Sequence, residues 1–367
     1  MMWQFKTSTG GTHYSNISLV SNPEDTEFMV SKNLSGMLEY STPTTSFSAT
    51  PKLAVRRYSD RSLDTTDLGA NFTASHSTET FRFSLTNNAQ RDTSFSSEIN
   101  TTGYIDTKKN RKSDMYSPSV TYIIDEISTV SLNHSYTDVD YVDGVAEGLF
   151  DYQYTSSSIS YTRLTEILGT TSLTYTNITQ EIDLQQSTYE TKILQFGLSN
   201  DFSETINYSA SIGIRRYENY IGYADFRTSD TGWVMDMAAA KQFQRLSVKT
   251  NLSREVIPGG GGYMILQDLI RMDCNYKLSP QFTGNFSGSA LKNTRETTTG
   301  DLNRYYGSAE LRLKYSFEPS WNLSLSFKHR KNHSEQGVAG KDNIITFGLS
   351  YSGQKRQFKS SGQDTDF

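Results

Sequence analysis

The chain lacks most of what builds a soluble enzyme or a helical membrane protein. It has a single cysteine, Cys274, which excludes an internal disulfide and any paired-cysteine zinc or haem-attachment pattern. No run of about 18 apolar residues occurs, so a transmembrane helix is excluded. Proline is scarce, at 7 residues in 367, which leaves long stretches free to form unbroken strands. Hydrophobic residues make up only 35% of the chain, below the globular norm. That shortage alone would suggest disorder, but disordered chains are also poor in aromatic and β-branched residues. Here 23 Tyr and 19 Phe stand among abundant Thr, Ser, Asn and Ile. Met1-Met2-Trp3-Gln4-Phe5-Lys6 has none of the marks of a secretory leader. The expectation is a mature end or a misplaced start, with Trp3 and Phe5 already in a strand.

What the chain does have is alternation. In Trp321-Asn322-Leu323-Ser324-Leu325-Ser326-Phe327-Lys328 the large apolar residues take the odd positions. Ile206 to Arg215 alternates for ten residues, and Tyr305 to Phe317 and Ile345 to Tyr351 repeat the pattern. A period of two sustained over such lengths is a strand signal. The segments recur about every 20 residues, the spacing of a membrane-spanning strand plus its connection. Short turns are expected at Thr42-Pro43-Thr44, Thr78-Glu79, Asp125-Glu126, Leu164-Thr165-Glu166, Phe202-Ser203-Glu204, Gln242-Phe243-Gln244, Ser279-Pro280 and Glu318-Pro319-Ser320. Longer polar connections are expected between them, including Ser59–Asp64, Ser97–Lys112, Asp143–Gly148, Ile257–Tyr263, Asn293–Asn303 and His333–Asp342. The fold class is therefore all-β: an antiparallel up-and-down transmembrane barrel of about 18 strands, with short periplasmic turns and longer outer loops. Soluble strands average about five or six residues, well short of these segments. The barrel is expected over residues 1–356, ending on a strand at Asp342–Gly353, with a polar tail at 357–367. The location that follows is the bacterial outer membrane, with its lipid as a partner.

If the large apolar residues face lipid, the intervening cations face the lumen. The expected pore-lining set is Lys52, Arg56, Arg82, Arg215, Arg245, Lys249, Arg271, Lys277, Arg312, Lys314, Lys328 and Arg330. Acids on the same phase are fewer: Glu39, Asp273 and Glu310. A basic lumen between low-dielectric walls favours anions. The competing reading is that these cations pair with acids on neighbouring strands and merely fill the barrel. Asp138 and Asp268 fall on the apolar phase against expectation.

No other constellation carries chemistry. Asp138-Val139-Asp140-Tyr141-Val142-Asp143-Gly144 has oxygen ligands close in sequence but not the twelve-residue calcium loop, and reads as a solvated loop. Gly259 to Gly262 has no helix after it to make a phosphate loop, and reads as a flexible outer loop. His329 and His333, four apart, do not converge on a strand, and no Ser-His-acid set can be assembled. No enzyme activity, catalytic residue, metal, cofactor or nucleic-acid partner is expected.

The chain resembles the outer-membrane β-barrels associated with bacterial exopolysaccharide gene clusters. The resemblance rests on texture over nearly the whole chain, on Thr12-His13-Tyr14-Ser15-Asn16-Ile17-Ser18-Leu19, and on the Arg-Arg-Tyr strand ends at Arg56-Arg57-Tyr58 and Arg215-Arg216-Tyr217. It implies an eighteen-stranded passive conduit for a secreted polysaccharide, an acidic one if the lumen is basic. A periplasmic polysaccharide export protein would dock at the turn side. The same fold serves a general or anion-selective diffusion porin equally well, or a sheath around a periplasmic or electron-transfer partner.

Overall fold

The computed structural model describes residues 1–19, 26–94, 97, 108–222, 226–295, 302–335 and 339–357. Eighteen antiparallel strands close into one barrel. They are β1 (Met2–Tyr14), β2 (Glu27–Ser41), β3 (Thr45–Tyr58), β4 (Thr65–Ser77), β5 (Phe81–Thr93), β6 (Asn110–Ile123), β7 (Ser128–Tyr141), β8 (Tyr152–Thr165) and β9 (Gly169–Ile182). The second half continues with β10 (Ser187–Ser203), β11 (Ile206–Ile221), β12 (Phe226–Gln242), β13 (Leu246–Gly259), β14 (Tyr263–Lys277), β15 (Phe282–Arg295), β16 (Leu302–Glu318), β17 (Trp321–Ser334) and β18 (Ala339–Ser352). Each strand pairs with the next, and β1 pairs with β18 from Lys6↔Ser352 to Tyr14↔Ile344. Below that seam a short β19 (Arg356–Gln357) pairs with Met2 and Trp3. Of the expected polar tail at 357–367, only Gln357 lies within the described residues. Among them no helix is long and apolar enough to cross a membrane, which says nothing about strands.

Proline placement shows the ladder at work. Pro lacks an N–H, so a strand holding one must forgo a bond. Pro51 faces Ala70 on β4, but no pairing with β2 is formed there. Pro118 faces Leu85 on β5, and the β6–β7 pairing skips it. Pro43, Pro280 and Pro319 stand in short turns, where they cost nothing. The β8–β9 turn closes on Gly169 at φ +73, where a Cβ would meet the Ser199 carbonyl oxygen at 2.5 Å, so only glycine fits.

Partners in a register pair share a face, so one face can be followed around the whole circle. From Lys6 the even face of β1 leads through every strand and returns to Ser352 in phase. The register shifts at Asp201/Ser203 and Ser316/Glu318 lie at the short-turn rim, where they flip nothing above them. The outward face carries Leu34, Leu132, Ile212, Ile270, Leu325 and Phe347, each more than half exposed. A belt that apolar is stable only against lipid. Near the short-turn end it is edged by touching rings, Trp3–Phe5–Tyr351–Trp321–Phe317–Tyr315–Phe282. This is the aromatic girdle of an interface.

The belt sets a test of the phase. Arg at Ile212, Leu325 or Phe347 is expected to cost about 2–4 kcal/mol each at mid-membrane, read as a lower denaturation midpoint of the folded barrel in liposomes. Arg at inward Ser209 should cost little; equal costs on the two faces would mean the phase is wrong.

Candidate solute path

Eleven of the twelve cations expected in the lumen stand on strands, on the inward face by register: Lys52, Arg56, Arg82, Arg215, Lys249, Arg271, Lys277, Arg312, Lys314, Lys328 and Arg330. Arg245 lies in the β12–β13 turn, at the short-turn rim. Sequence reasoning missed Lys6, Arg111 and Arg304, which share the inward face. Their spacing of two from Gln4, Ser113 and Tyr306, on the same face, was the available signal.

The acids are more numerous than the sequence suggested. Besides Glu39, Asp273 and Glu310, the inward face carries Asp67, Asp92, Asp230, Asp236, Glu255 and Asp342. These fell outside the earlier set because cross-strand register is not written in one strand. Their effect is to divide the cations. Arg56 pairs with Asp67, Arg215 with Asp230 at 3.1 Å, Arg271 with Asp273 at 3.1 Å, Arg312 with Glu310 at 2.6 Å and Arg330 with Asp342 at 2.9 Å. Lys52, Arg82, Lys249, Lys277, Lys314 and Lys328 form no ion pair among the described residues. The cations thus divide: Arg56, Arg215, Arg271, Arg312 and Arg330 are braced by acids, while these lysines and Arg82 carry no ion pair among the described residues.

The free lysines are gathered. Lys6, Lys52 and Lys314 line one cavity of about 630 Å³ against β16–β18 and β1–β5, together with Ser8, Asn88 and Ser350. Its one acid, Asp67, is held by Arg56. The opposite wall is uncharged. On β7–β10 the inward face is Ser, Thr, Asn, Gln, Tyr, Ile and Val, with Asp201 at its foot as the exception. Charge on one wall and hydroxyls on the other leave a lateral field across the lumen.

The outer mouth is roofed. β12 pairs with β13 only from Gln242↔Ser247 to Met235↔Arg254, and β14 pairs with β15 no further than Leu266↔Thr294. Between those points the β13–β14 hairpin leaves the wall and turns inward. Met264, Ile265, Leu266 and Gln267 are buried in succession, which a strand in a lipid-facing wall cannot be. Its tip reaches the far side. Tyr189 Oη donates to the Gly262 carbonyl at 3.0 Å, and the Phe150 amide donates to the Gly260 carbonyl at 3.0 Å. Val256, Met264 and Leu266 pack with Val139, Ile178, Ile182, Ile193 and Tyr217 as one apolar cluster inside the mouth. The glycine run is thus a buried tip, not a flexible outer loop. Pro258 and the glycines suit it, since a Cβ on Gly261 would lie 2.5 Å from the Tyr263 ring. Of the expected connection Ser97–Lys112, β6 already includes Asn110 to Lys112, and residues 98–107 lie outside the described set.

A second segment folds in beside it. Asp342, fully buried, accepts from the Ser15 amide and hydroxyl, the Asn16 amide and Arg330 Nε; Arg330 also donates to the Ile17 carbonyl. Leu19 then packs on Leu291 and Tyr306. A Cβ at Gly340 would lie 2.0 Å from the Leu19 carbonyl oxygen, so the β1–β2 connection rests directly on β18. Asp342→Ala leaves Arg330 buried and unpaired, a change that costs about 3–5 kcal/mol. The expected result is a barrel that still folds but is cleaved by protease near residues 15–19, where the unaltered chain resists; equal resistance would mean the pair does not hold the segment.

One expectation needs correction outside the lumen. Asp138 to Tyr141 is strand, not solvated loop: Val139 and Tyr141 point inward, while Asp138 and Asp140 point outward beside Lys112, which reaches Asp114 at 3.1 Å and Asp140 at 3.6 Å. Asp268 is likewise outward, held by Arg254 at 3.3 Å, and the Arg254 guanidinium lies 4.4 Å from the Trp233 ring centre. Outward charge of this kind belongs near a headgroup layer. The repeated Arg-Arg-Tyr ends have a structural reason. The first Arg and the Tyr face inward, and the second Arg faces out to Asp64 in one case and Glu218 in the other.

No family model and no curated protein matches the chain. Solved structures do. Pseudomonas aeruginosa OccK2 (OpdF) in complex with glucuronate superposes with a TM-score of 0.54 at 9% identity, over 95% of this chain and 98% of that one. OccK5 (OpdH) of the same organism gives 0.52 at 11% identity, over 96% and 98%. Its OpdK with vanillate gives 0.51 at 9% identity, over 96% and 99%. At such identities the likeness is one of fold. The chain is a closed 18-strand barrel of the bacterial outer-membrane type.

Proposed function

We propose that this barrel is an outer-membrane porin that passes small anionic solutes, carboxylates being the class that fits best. The observation that carries the reading is the cavity in which the ammonium groups of Lys6, Lys52 and Lys314 have no counter-ion of their own. All three are exposed to the lumen and lack an ion pair among the described residues, so they hold a positive field there that favours a passing anion. The uncharged wall opposite offers hydroxyls and amides to the rest of the solute. Two of the similar structures hold glucuronate and vanillate, both carboxylates, which is the same chemistry.

The roof weighs against a polymer conduit. A polysaccharide strand needs a continuous wide tunnel, and the β13–β14 tip crosses the mouth to bond with β10 and the β7–β8 connection. Nothing in the fold favours docking of an export protein at the turns or a role as a sheath. The test is single-channel recording in a planar bilayer with glucuronate, and separately with an acidic polysaccharide. Brief concentration-dependent block by the small acid, with no effect of the polymer, is expected. Block by the polymer alone would restore the export reading.

A further inference from the structure

The outward face changes character with height. Lys292, Lys331 and Lys341 lie about ten residues above the short-turn ends of β15, β17 and β18. At about 3.4 Å per residue and a tilt of about 40°, ten residues rise ~26 Å, the height of the apolar band of an outer-membrane barrel. These lysines therefore sit at the outer boundary of the hydrocarbon, at the level of headgroup phosphates.

The charge at that level is uneven. On β6, β10 and β11 each of the outward bases Lys112, Lys192 and Arg216 has an acid beside it, as in Lys112–Asp114 at 3.1 Å, Lys192–Glu190 at 3.1 Å and Arg216–Glu218 at 2.8 Å. On β15 to β18 the outward register rows hold Lys292, Lys331, His333 and Lys341 and no acid. Asp268, the register partner of Lys292, is engaged by Arg254, and Glu335 just beyond β17 accepts from Asn303. Lys331 stands directly opposite Lys341. Like charges in that position repel, so the pair is relieved only by an anion between them.

A groove begins at the same place. One register row runs Leu252–Ile270–Ala290–Gly307–Lys331–Lys341. Ala290 and Gly307 are low, so the lipid-facing wall is hollowed there to about 580 Å³, with Lys292, Lys331, His333 and Tyr305 along its rim and one acid, Asp268, which Arg254 holds. The Tyr305 and His333 rings stack at 6.3 Å. An apolar trough that ends in cations with no ion pair of their own among the described residues matches a molecule with an acyl chain and a phosphate.

We propose that this groove is a binding site for a phosphate-bearing acylated lipid of the outer leaflet, with an acyl chain lying over Ala290 and Gly307 and a phosphate held among Lys292, Lys331 and Lys341. The inference rests on the outer-membrane placement and not on which solute passes. It separates a bound lipid from bulk solvation because the outward bases Lys112, Lys192 and Arg216 elsewhere on the rim are already paired with acids.

The test is native mass spectrometry of the purified barrel in detergent, with added diphosphorylated lipid A, the same lipid with its phosphates removed, or inorganic phosphate. Saturable binding of the diphosphorylated lipid is expected, with at least tenfold weaker binding after K292Q/K331Q/K341Q. Gly307→Leu, at a site where an added Cβ meets only the Ser289 carbonyl oxygen at 3.8 Å, should weaken binding by filling the trough. The control K192Q/R216Q should bind as the unaltered chain does. Equal binding by the triple variant, equal loss in the control, equal binding of the dephosphorylated lipid, or a second copy of the chain seated on the groove would each overturn the proposal. Heat-shifted gel mobility shows that the variants are folded. Conductance recorded on the same preparations reports the porin reading separately, so either can fail without the other.

Discussion

Replacing Lys52, Lys314 and Lys328 together with Glu is expected to turn an anion-preferring pore into a cation-preferring one. Each swap changes the local charge by two, and none of the three lysines has an ion pair to lose. Apart from Lys6 and Arg82, the strand cations of β16–β18 and β1–β5 that share the inward face include paired ones: Arg56 with Asp67, Arg312 with Glu310 and Arg330 with Asp342. Those pairs are close to neutral at a distance, so the free lysines dominate the field felt by a passing ion. The measurement is the reversal potential across a salt gradient. It should be made near 0.1 M, where charges act over about 10 Å, because at 1 M the range falls to about 3 Å and the contrast fades. Glu in place of Arg56, Arg215 and Arg271 should shift selectivity less and destabilise the barrel more, since each substitution also strands an acid beside a new acid. An unchanged sign of the reversal potential in the lysine variant would sink the claim that the free lysines set selectivity.

That contrast between lysines and arginines shows where the sequence stops being legible. The inward phase of Lys52, Arg215 or Lys328 follows from alternation within a single strand, because neighbours on one strand must point opposite ways. The short turns were legible for the same local reason: proline, glycine and hydroxyl residues interrupt the alternation at Thr42-Pro43-Thr44 and Glu318-Pro319-Ser320. Arg56 meeting Asp67, or Arg330 meeting Asp342, depends on cross-strand register, which is set by the closure of the whole barrel. The roof was the largest miss, yet it left a trace. Met264-Ile265-Leu266 is apolar on both phases, and Val256-Ile257 opposite it is too. A strand with water or lipid on one side has no use for that. A strand buried on both faces does, and the sequence reading took the break in pattern for a loop. Asp138 and Asp268 do stand on the apolar phase, as the alternation places them; the reason was not legible, because outward charge is tolerated above the apolar band and the height of that band comes only from the assembled strands.

Cutting the roof back should open the mouth. Residues 256–266 can be replaced by Asn-Gly, which joins the register pair Glu255↔Gln267 with the two-residue turn that suits a hairpin. The barrel wall loses only the Leu266↔Thr294 pair, because β12 already stops pairing at Arg254 and β15 pairs with β14 again from Gln267 downward. Deletion removes the segment that crosses to Tyr189 and Phe150, and it uncovers Ile193, Tyr217 and the rest of the mouth cluster to water. Conductance is expected to rise several-fold, with weaker block by small carboxylates, since the solute is no longer held against the lysine wall. A polymer excluded by the unaltered barrel should now enter and block. Tyr189→Phe is the gentler form: one hydrogen bond to the tip is lost, worth about 0.5–1.5 kcal/mol, and the open level should become noisier without a change in its mean. If the shortened hairpin conducts as the unaltered barrel does, the tip is no barrier. The narrow point must then lie lower, among the paired arginines, and the case against polymer passage would lose its footing.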